Sequence, residues 1–301
     1  MDAATGAPPA GTVRPVVLEG AGVALSALLG EPAGGAAPRA LVVAVHGGGM
    51  TAGYFDARAR PGLSLLRLGA RLGYAVLAVD RPGYGRSAAA LPEGLGVAEQ
   101  TAVLRAAVAG YADRHPVGAG VFLVGHSFGG KPALDWAARA EAGDRLLGVD
   151  VSGCGRRYAA PDGHAPPLTG PGDRRRRWGP LRLYPPGTFQ ECAGVVAPMP
   201  AREAAELAGW TASFARLAPR VRVPVRFTFA EHELLWRHTD ADLAELAAGF
   251  TASPRVVLDR QPGAGHNLSL GWAARAYHLR ALAFLEECLV PAATAPGSPV
   301  R

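Results

Sequence analysis

A chain of 301 residues and 31.0 kDa that is 49% hydrophobic, with a mean hydropathy of +0.11, has the material for one large buried core, which excludes a wholly disordered protein. The net charge of +6 invites a nucleic acid or an anionic membrane as partner, but every basic residue except Lys131 is Arg, spread along an Ala-, Gly- and Pro-rich chain. That spread predicts neither partner. Three cysteines without Cys-x-x-Cys or mixed Cys/His spacing indicate no disulfide framework and no zinc site, and so a reducing compartment. Asp2 stands where a signal peptide would be basic, and no apolar run reaches membrane-spanning length, so the chain reads as soluble and cytoplasmic.

Residues 1–12 and 291–301 are small-residue and proline tails, expected to be disordered. Residues 13–18 and 23–28 read as two strands joined by Gly20-Ala21-Gly22. Continuous apolar runs at 41–45, 75–79, 121–124 and 146–151 have the length of strands covered on both faces. Between them, 63–72, 97–111 and 131–140 carry apolar residues at helical spacing. Strands alternating with helices predict a mostly parallel sheet with right-handed crossovers, whose ligands bind at the carboxyl ends of the strands. The rhythm stops at about 153. Residues 153–220 hold nine prolines from Pro161 to Pro200 and one helical stretch at 202–217, the pattern of an insertion lying over a site. A strand at 223–230, a helix at 240–250 with Asp or Thr caps, a strand at 255–258 and a final helix at 272–289 complete the α/β core, 13–152 with 221–290.

Gly125-His126-Ser127-Phe128-Gly129 follows an apolar strand and precedes a helix, the context in which a sharp turn lifts a serine hydroxyl above the sheet. A serine hydroxyl is a weak nucleophile until an adjacent base takes its proton, and the base needs a buried carboxylate to fix its tautomer. His266, in Gly263-Ala264-Gly265-His266-Asn267, stands on a Gly-rich loop between the last strand and the last helix. His46, His126 and His232 read as core or surface residues, and Cys154 as an ordinary buried or rim thiol.

Four separated motifs in order resemble the α/β-hydrolase superfamily over nearly all of 13–290. They are Val45-His46-Gly47-Gly48-Gly49 after the third strand, Asp80-Arg81-Pro82-Gly83-Tyr84-Gly85-Arg86-Ser87 after the fourth, the Ser127 elbow after the fifth and the His266 segment after the last. The resemblance implies a mostly parallel eight-stranded sheet with helices on both faces and a lid, 153–220, after the sixth strand. It also implies Ser127 as nucleophile and His266 as base, with the backbone N–H of Phe128 and of Gly48, or of Gly49 in its place, as the oxyanion donors. Glu233 aligns with the usual triad aspartate; Glu231 and Asp150 remain alternative acids. The implied activity is hydrolysis of an ester or thioester of a small molecule through an acyl-enzyme, without metal or organic cofactor. A non-hydrolytic acyltransferase or an acyl-eliminating lyase on the same scaffold is the alternative reading, and a binding protein that kept the fold without its chemistry a third. Arg174 to Arg177, beside Trp178, reads as a solvated loop that could also receive a carboxylate, a phosphopantetheine phosphate or an acidic carrier protein.

Overall fold

Strands whose successive residues are all apolar need cover on both faces, because neighbouring side chains point opposite ways. The computed structural model, which describes residues 12–160, 165 and 172–290, meets that need with eight strands in one sheet. They are β1 (Val13–Gly20), β2 (Val23–Gly30), β3 (Leu41–Val45), β4 (Ala75–Val79), β5 (Val121–His126), β6 (Leu146–Ser152), β7 (Val225–His232) and β8 (Val256–Gly265), in the order β1-β2-β4-β3-β5-β6-β7-β8. β2 runs antiparallel to β1 and to β4, and every other pair is parallel.

Alternation along β3 sorts the core. Leu41, Val43 and Val45 face the layer of α2 (Val97–Ala112) and α3 (Gly130–Arg139), where they pack with Leu104, Val108 and Leu134. Val42 and Ala44 face α1 (Leu65–Arg71) and α9 (Ala274–Leu289), packing with Leu65, Leu68 and Leu285. α8 (Asp240–Ala248) starts at Thr239, whose hydroxyl accepts the Asp242 N–H at 3.2 Å while the Asp242 carboxylate accepts the Thr239 N–H, the reciprocal cap that the Thr and Asp of this segment imply. No described helix is long and apolar enough to cross a membrane.

Between β6 and β7 the described residues form no strand. They carry α4 (Asp173–Trp178), α5 (Thr188–Glu191), α6 (Ala201–Ala205) and α7 (Trp210–Leu217). The single helix expected at 202–217 is two, broken at 206–209. Glycine at 209 is the weak helix former in that stretch, and the break lets Glu203 and Trp210 both be buried against different parts of the core. Prolines 161, 166, 167 and 171, and the tails except residue 12, lie outside the described residues. β8 also differs from expectation: it runs to Gly265 rather than ending at 258. Pairing with β7 continues through Ala230 with Gln261 and His232 with Gly265, across an irregularity between them, so tertiary pairing extends a strand that 259–265 do not encode by pattern.

Candidate active site

β5 ends at His126, and Ser127 follows with φ of +51°, in the left-handed region that costs a non-glycine residue about 1–3 kcal/mol. Its neighbours permit the turn only because they lack side chains. A Cβ at Gly125 would lie 2.8 Å from Gly129 O and from Gly130 Cα, and one at Gly129 would run into Val45 O. The 3-10 turn Ser127–Gly129 then feeds into α3, which places the Phe128 amide at the start of a helical segment.

His266 follows β8 directly and is 4% exposed, so it is a buried strand-end residue rather than one on an open Gly-rich loop. Its Nε2 lies 2.9 Å from Ser127 Oγ and its Nδ1 2.8 Å from Glu233 Oε2. The second oxygen of Glu233 accepts the Leu235 N–H at 2.9 Å. Burial alone would raise the Glu233 carboxyl, but the charge and hydrogen bond of His266 and the Leu235 amide together hold it below the usual carboxylate range. An ionised Glu233 only accepts, which puts the imidazole proton on Nδ1 and leaves Nε2 to accept from the serine hydroxyl.

The two alternative acids stand elsewhere. Glu231 is exposed at the end of β7 and accepts the Gly263 N–H at 2.7 Å. Asp150 is buried on β6, where it pairs with Arg226 and accepts the Tyr277 hydroxyl at 2.8 Å; Arg226 also reaches Asp259 at 2.7 Å. Neither makes a hydrogen bond to His266.

The loop after β3 is held from below. Asp80 accepts the Ala52 N–H and the Ser26 hydroxyl, both at 2.6 Å, and His46 takes the Arg81 N–H on Nε2 at 3.0 Å, with Nδ1 2.8 Å from Gly47 O. Burial and the Arg81 charge keep His46 neutral, well below the ordinary histidine range, and His126, stacked on Tyr54 at 4.5 Å and 3.1 Å from Ser152 Oγ, is held neutral chiefly by burial and by His266. Gly49 donates its N–H to Tyr84 Oη at 3.0 Å, whereas no intramolecular acceptor is found for the Gly48 N–H among the described residues.

Sequence reasoning passed over the group that ties this loop to the insertion. Arg81 and Glu203 are wholly buried and doubly paired, at 2.5 and 2.9 Å. Arg81 also donates to His46 O at 2.8 Å and Gly47 O at 3.1 Å, while Tyr84 donates to Glu203 at 2.8 Å. Only burial distinguishes such an Arg and Glu from the many on the surface. Ser127 and His266 open onto a cavity whose other walls include Met199, Leu207 and Trp236, with Met199 seated over Gly48. From the arginine run, Arg177 lines this cavity and bonds Asp173 at 2.9 Å, whereas Arg174 and Arg175 are exposed on α4. Cys154 is buried, and that burial pushes its thiol up to about 12, away from the thiolate form. No group of three His, Cys, Asp or Glu suited to a metal ion occurs among the described residues.

Over residues 42–278 the sequence matches the model of the alpha/beta hydrolase family, and the chain belongs to that family of enzymes. Among solved structures, a highly thermostable carboxyl esterase from Bacillus coagulans superposes with a TM-score of 0.66 at 17% identity, covering 93% of this chain and 99% of that one. A thioesterase domain from the curacin biosynthetic pathway gives 0.55 at 18% identity over 90% and 99%. The AqdC variant that recognises and cleaves the ring of the Pseudomonas quinolone signal gives 0.65 at 16% over 92% and 100%. At these identities the likeness is one of fold. No curated protein matches the chain.

Proposed function

We propose that this chain is a serine hydrolase that cleaves an ester or thioester of a small molecule through an acyl-enzyme. The observation that carries the proposal is the unbroken hydrogen-bonded series from Glu233 through His266 to Ser127, at 2.8 and 2.9 Å, ending on a serine held with positive φ. Ser127 Oγ attacks the acyl carbon as its proton passes to His266 Nε2, and Glu233 stabilises the resulting imidazolium. The Gly48 and Phe128 amides take up the charge of the tetrahedral oxygen. Gly48 is preferred over Gly49 because the Gly49 amide is already committed to Tyr84. His266 then protonates the leaving alkoxide or thiolate, and a water that gives its proton to Nε2 releases the acid and restores Ser127.

The 153–220 segment acts as a lid in this reading, since Met199, Leu207 and Arg177 from it close over the Ser127 cavity. The carboxyl esterase and thioesterase among the structural neighbours are in keeping with an acyl substrate. A fluorophosphonate should label wild-type protein on Ser127 and leave Ser127→Ala unlabelled, and a panel of short and long esters and thioesters should yield acid together with alcohol or thiol. Absence of labelling would overturn the nucleophile. Release of an alkene without alcohol would instead establish elimination on the same scaffold.

A further inference from the structure

Lys131 is a buried charge that hydrolysis as just described leaves unused. The sole lysine of the chain, it stands on the first turn of α3, four residues beyond Ser127, and is 1% exposed. Its Nζ donates to Tyr158 Oη at 3.1 Å and lies 4.8 Å from the centre of the Phe128 ring, 5.0 Å from that of Trp210 and 5.8 Å from that of Tyr158. The titratable groups acting on it are Tyr158, Cys154, Glu203, Glu206 and Arg81, and none is an ion-pair partner among the described residues. Glu203 is spent on Arg81 and Tyr84, and Glu206 accepts the Val97 N–H. Aromatic rings hold an ammonium in place but supply no counter-charge, and an unpaired lysine is ordinarily kept out of protein interiors.

This ammonium is not sealed in the core. Lys131, Phe128 and Tyr158 line the same cavity as Ser127 and His266. We propose that Lys131, with the Tyr158 hydroxyl beside it, receives a carboxylate of the substrate, so that the enzyme acts on esters or thioesters that also carry a free carboxylate. Tyr158 Oη, by accepting from Nζ, keeps its own O–H free to donate, and two adjacent donors match the two oxygens of one carboxylate. Phe128, Leu207, Leu235 and Trp236 give the cavity apolar lining, and its other charged side chains, Arg177 and Asp173, bond each other, so an anion at Lys131 meets a cation in a low-dielectric setting where the attraction is strong. Burial brings Lys131 down to about 8, so the site is charged at neutral pH and discharges as the pH rises.

The inference rests on the Ser127 cavity being the substrate site, and the test separates the two claims. Glutarate titrated calorimetrically into the Ser127→Ala protein at pH 7 should bind, should bind at least about ten-fold more weakly at pH 9.5, and should fail to bind when Lys131→Met is added. Tyr158→Phe, which keeps the ring and its packing, should weaken glutarate about ten-fold. In the serine-bearing enzyme, the ratio of kcat/KM for monoethyl glutarate to that for ethyl pentanoate should fall at least about ten-fold in Lys131→Met. Glutarate that binds equally with and without Lys131, or that does not bind, overturns the carboxylate site even if a fluorophosphonate labels Ser127. Glutarate binding that depends on Lys131, with Ser127 inert to the probe, sustains the anion site and overturns the hydrolase reading alone.

Discussion

Strain at Ser127 is confined to a single residue because the positions two before and two after it carry no side chain, and the hydroxyl is consequently fixed where His266 Nε2 meets it. With geometry fixed, the acid partner decides the tautomer. Glu233→Gln presents an amide that can donate to Nδ1 and draw the proton to Nε2, where it blocks acceptance from Ser127. The expected result is a fall in kcat of about 10⁴-fold with the fold intact, read by ester turnover alongside circular dichroism. Ser127 is legible in the sequence because glycine at fixed offsets is a steric requirement of its turn, and His266 through the resemblance, which puts the base after the last strand. Glu233 is preferred by sequence for its alignment with the usual triad aspartate, but Glu231 and Asp150 stay open beside it, since all three are carboxylates and only their placement in the fold separates them. Lys131 was visible as the only lysine, yet its burial was not. Its folded value of about 8 lies below the ordinary lysine value, so between those two pH values the unfolded chain binds more protons than the folded one and stability rises with pH. Charged Lys131 therefore costs folding roughly 3 kcal/mol below pH 8, a cost relieved toward pH 10. Urea titrations should find Lys131→Met gaining on the wild type at pH 7, with the difference shrinking by pH 10; an unchanging difference would show that burial does not depress this lysine.

At the scale of elements, the strands were legible wherever apolar residues ran without interruption, and the helices wherever such residues recurred on one face. β8 was underread because Asp259, Arg260, Gln261 and Pro262 carry no strand pattern; pairing with β7 makes them a strand. The break between α6 and α7 was missed for the converse reason, since local spacing favours one helix while burial of both Glu203 and Trp210 demands two orientations. Glu203 is the point at which α6 is fastened to the loop after β3. Removing its charge leaves Arg81 buried without its counter-ion, so Glu203→Gln should destabilise the fold by about 3–5 kcal/mol, and Arg81→Met should do the same to Glu203. The double variant Arg81→Met with Glu203→Met should cost far less than the sum, because neither charge is then stranded. Catalysis should not recover with it. His46 O and Gly47 O lose the guanidinium that holds the loop, Tyr84 loses its acceptor Glu203 while still accepting from the Gly49 amide, and kcat should stay at least about ten-fold down in the double variant.

Taken as a whole molecule, the site is assembled from two stretches of chain separated by the insertion: Ser127 comes from the first, Glu233 and His266 from the second. What joins them is the pairing of β6 with β7, reinforced beneath the site by Asp150, Arg226, Tyr277 and Asp259. Asp150, the alternative acid on β6, has both of its oxygens occupied, one by Arg226 and the other by Tyr277. This makes Asp150→Asn the sharpest contrast to Glu233→Gln. Loss of the carboxylate charge leaves Arg226 with Asp259 alone as counter-ion, so unfolding should come at lower temperature and lower urea concentration, by about 3 kcal/mol for a half-broken buried pair. At temperatures where the fold persists, Ser127, His266 and Glu233 keep their distances, and kcat/KM should remain within about ten-fold of wild type. Turnover lost in Asp150→Asn at full native circular dichroism, with Glu233→Gln close to wild type, would move the acid from the turn after β7 to β6. The hydrogen-bonded series ending at Ser127 would then have to re-form around a different strand.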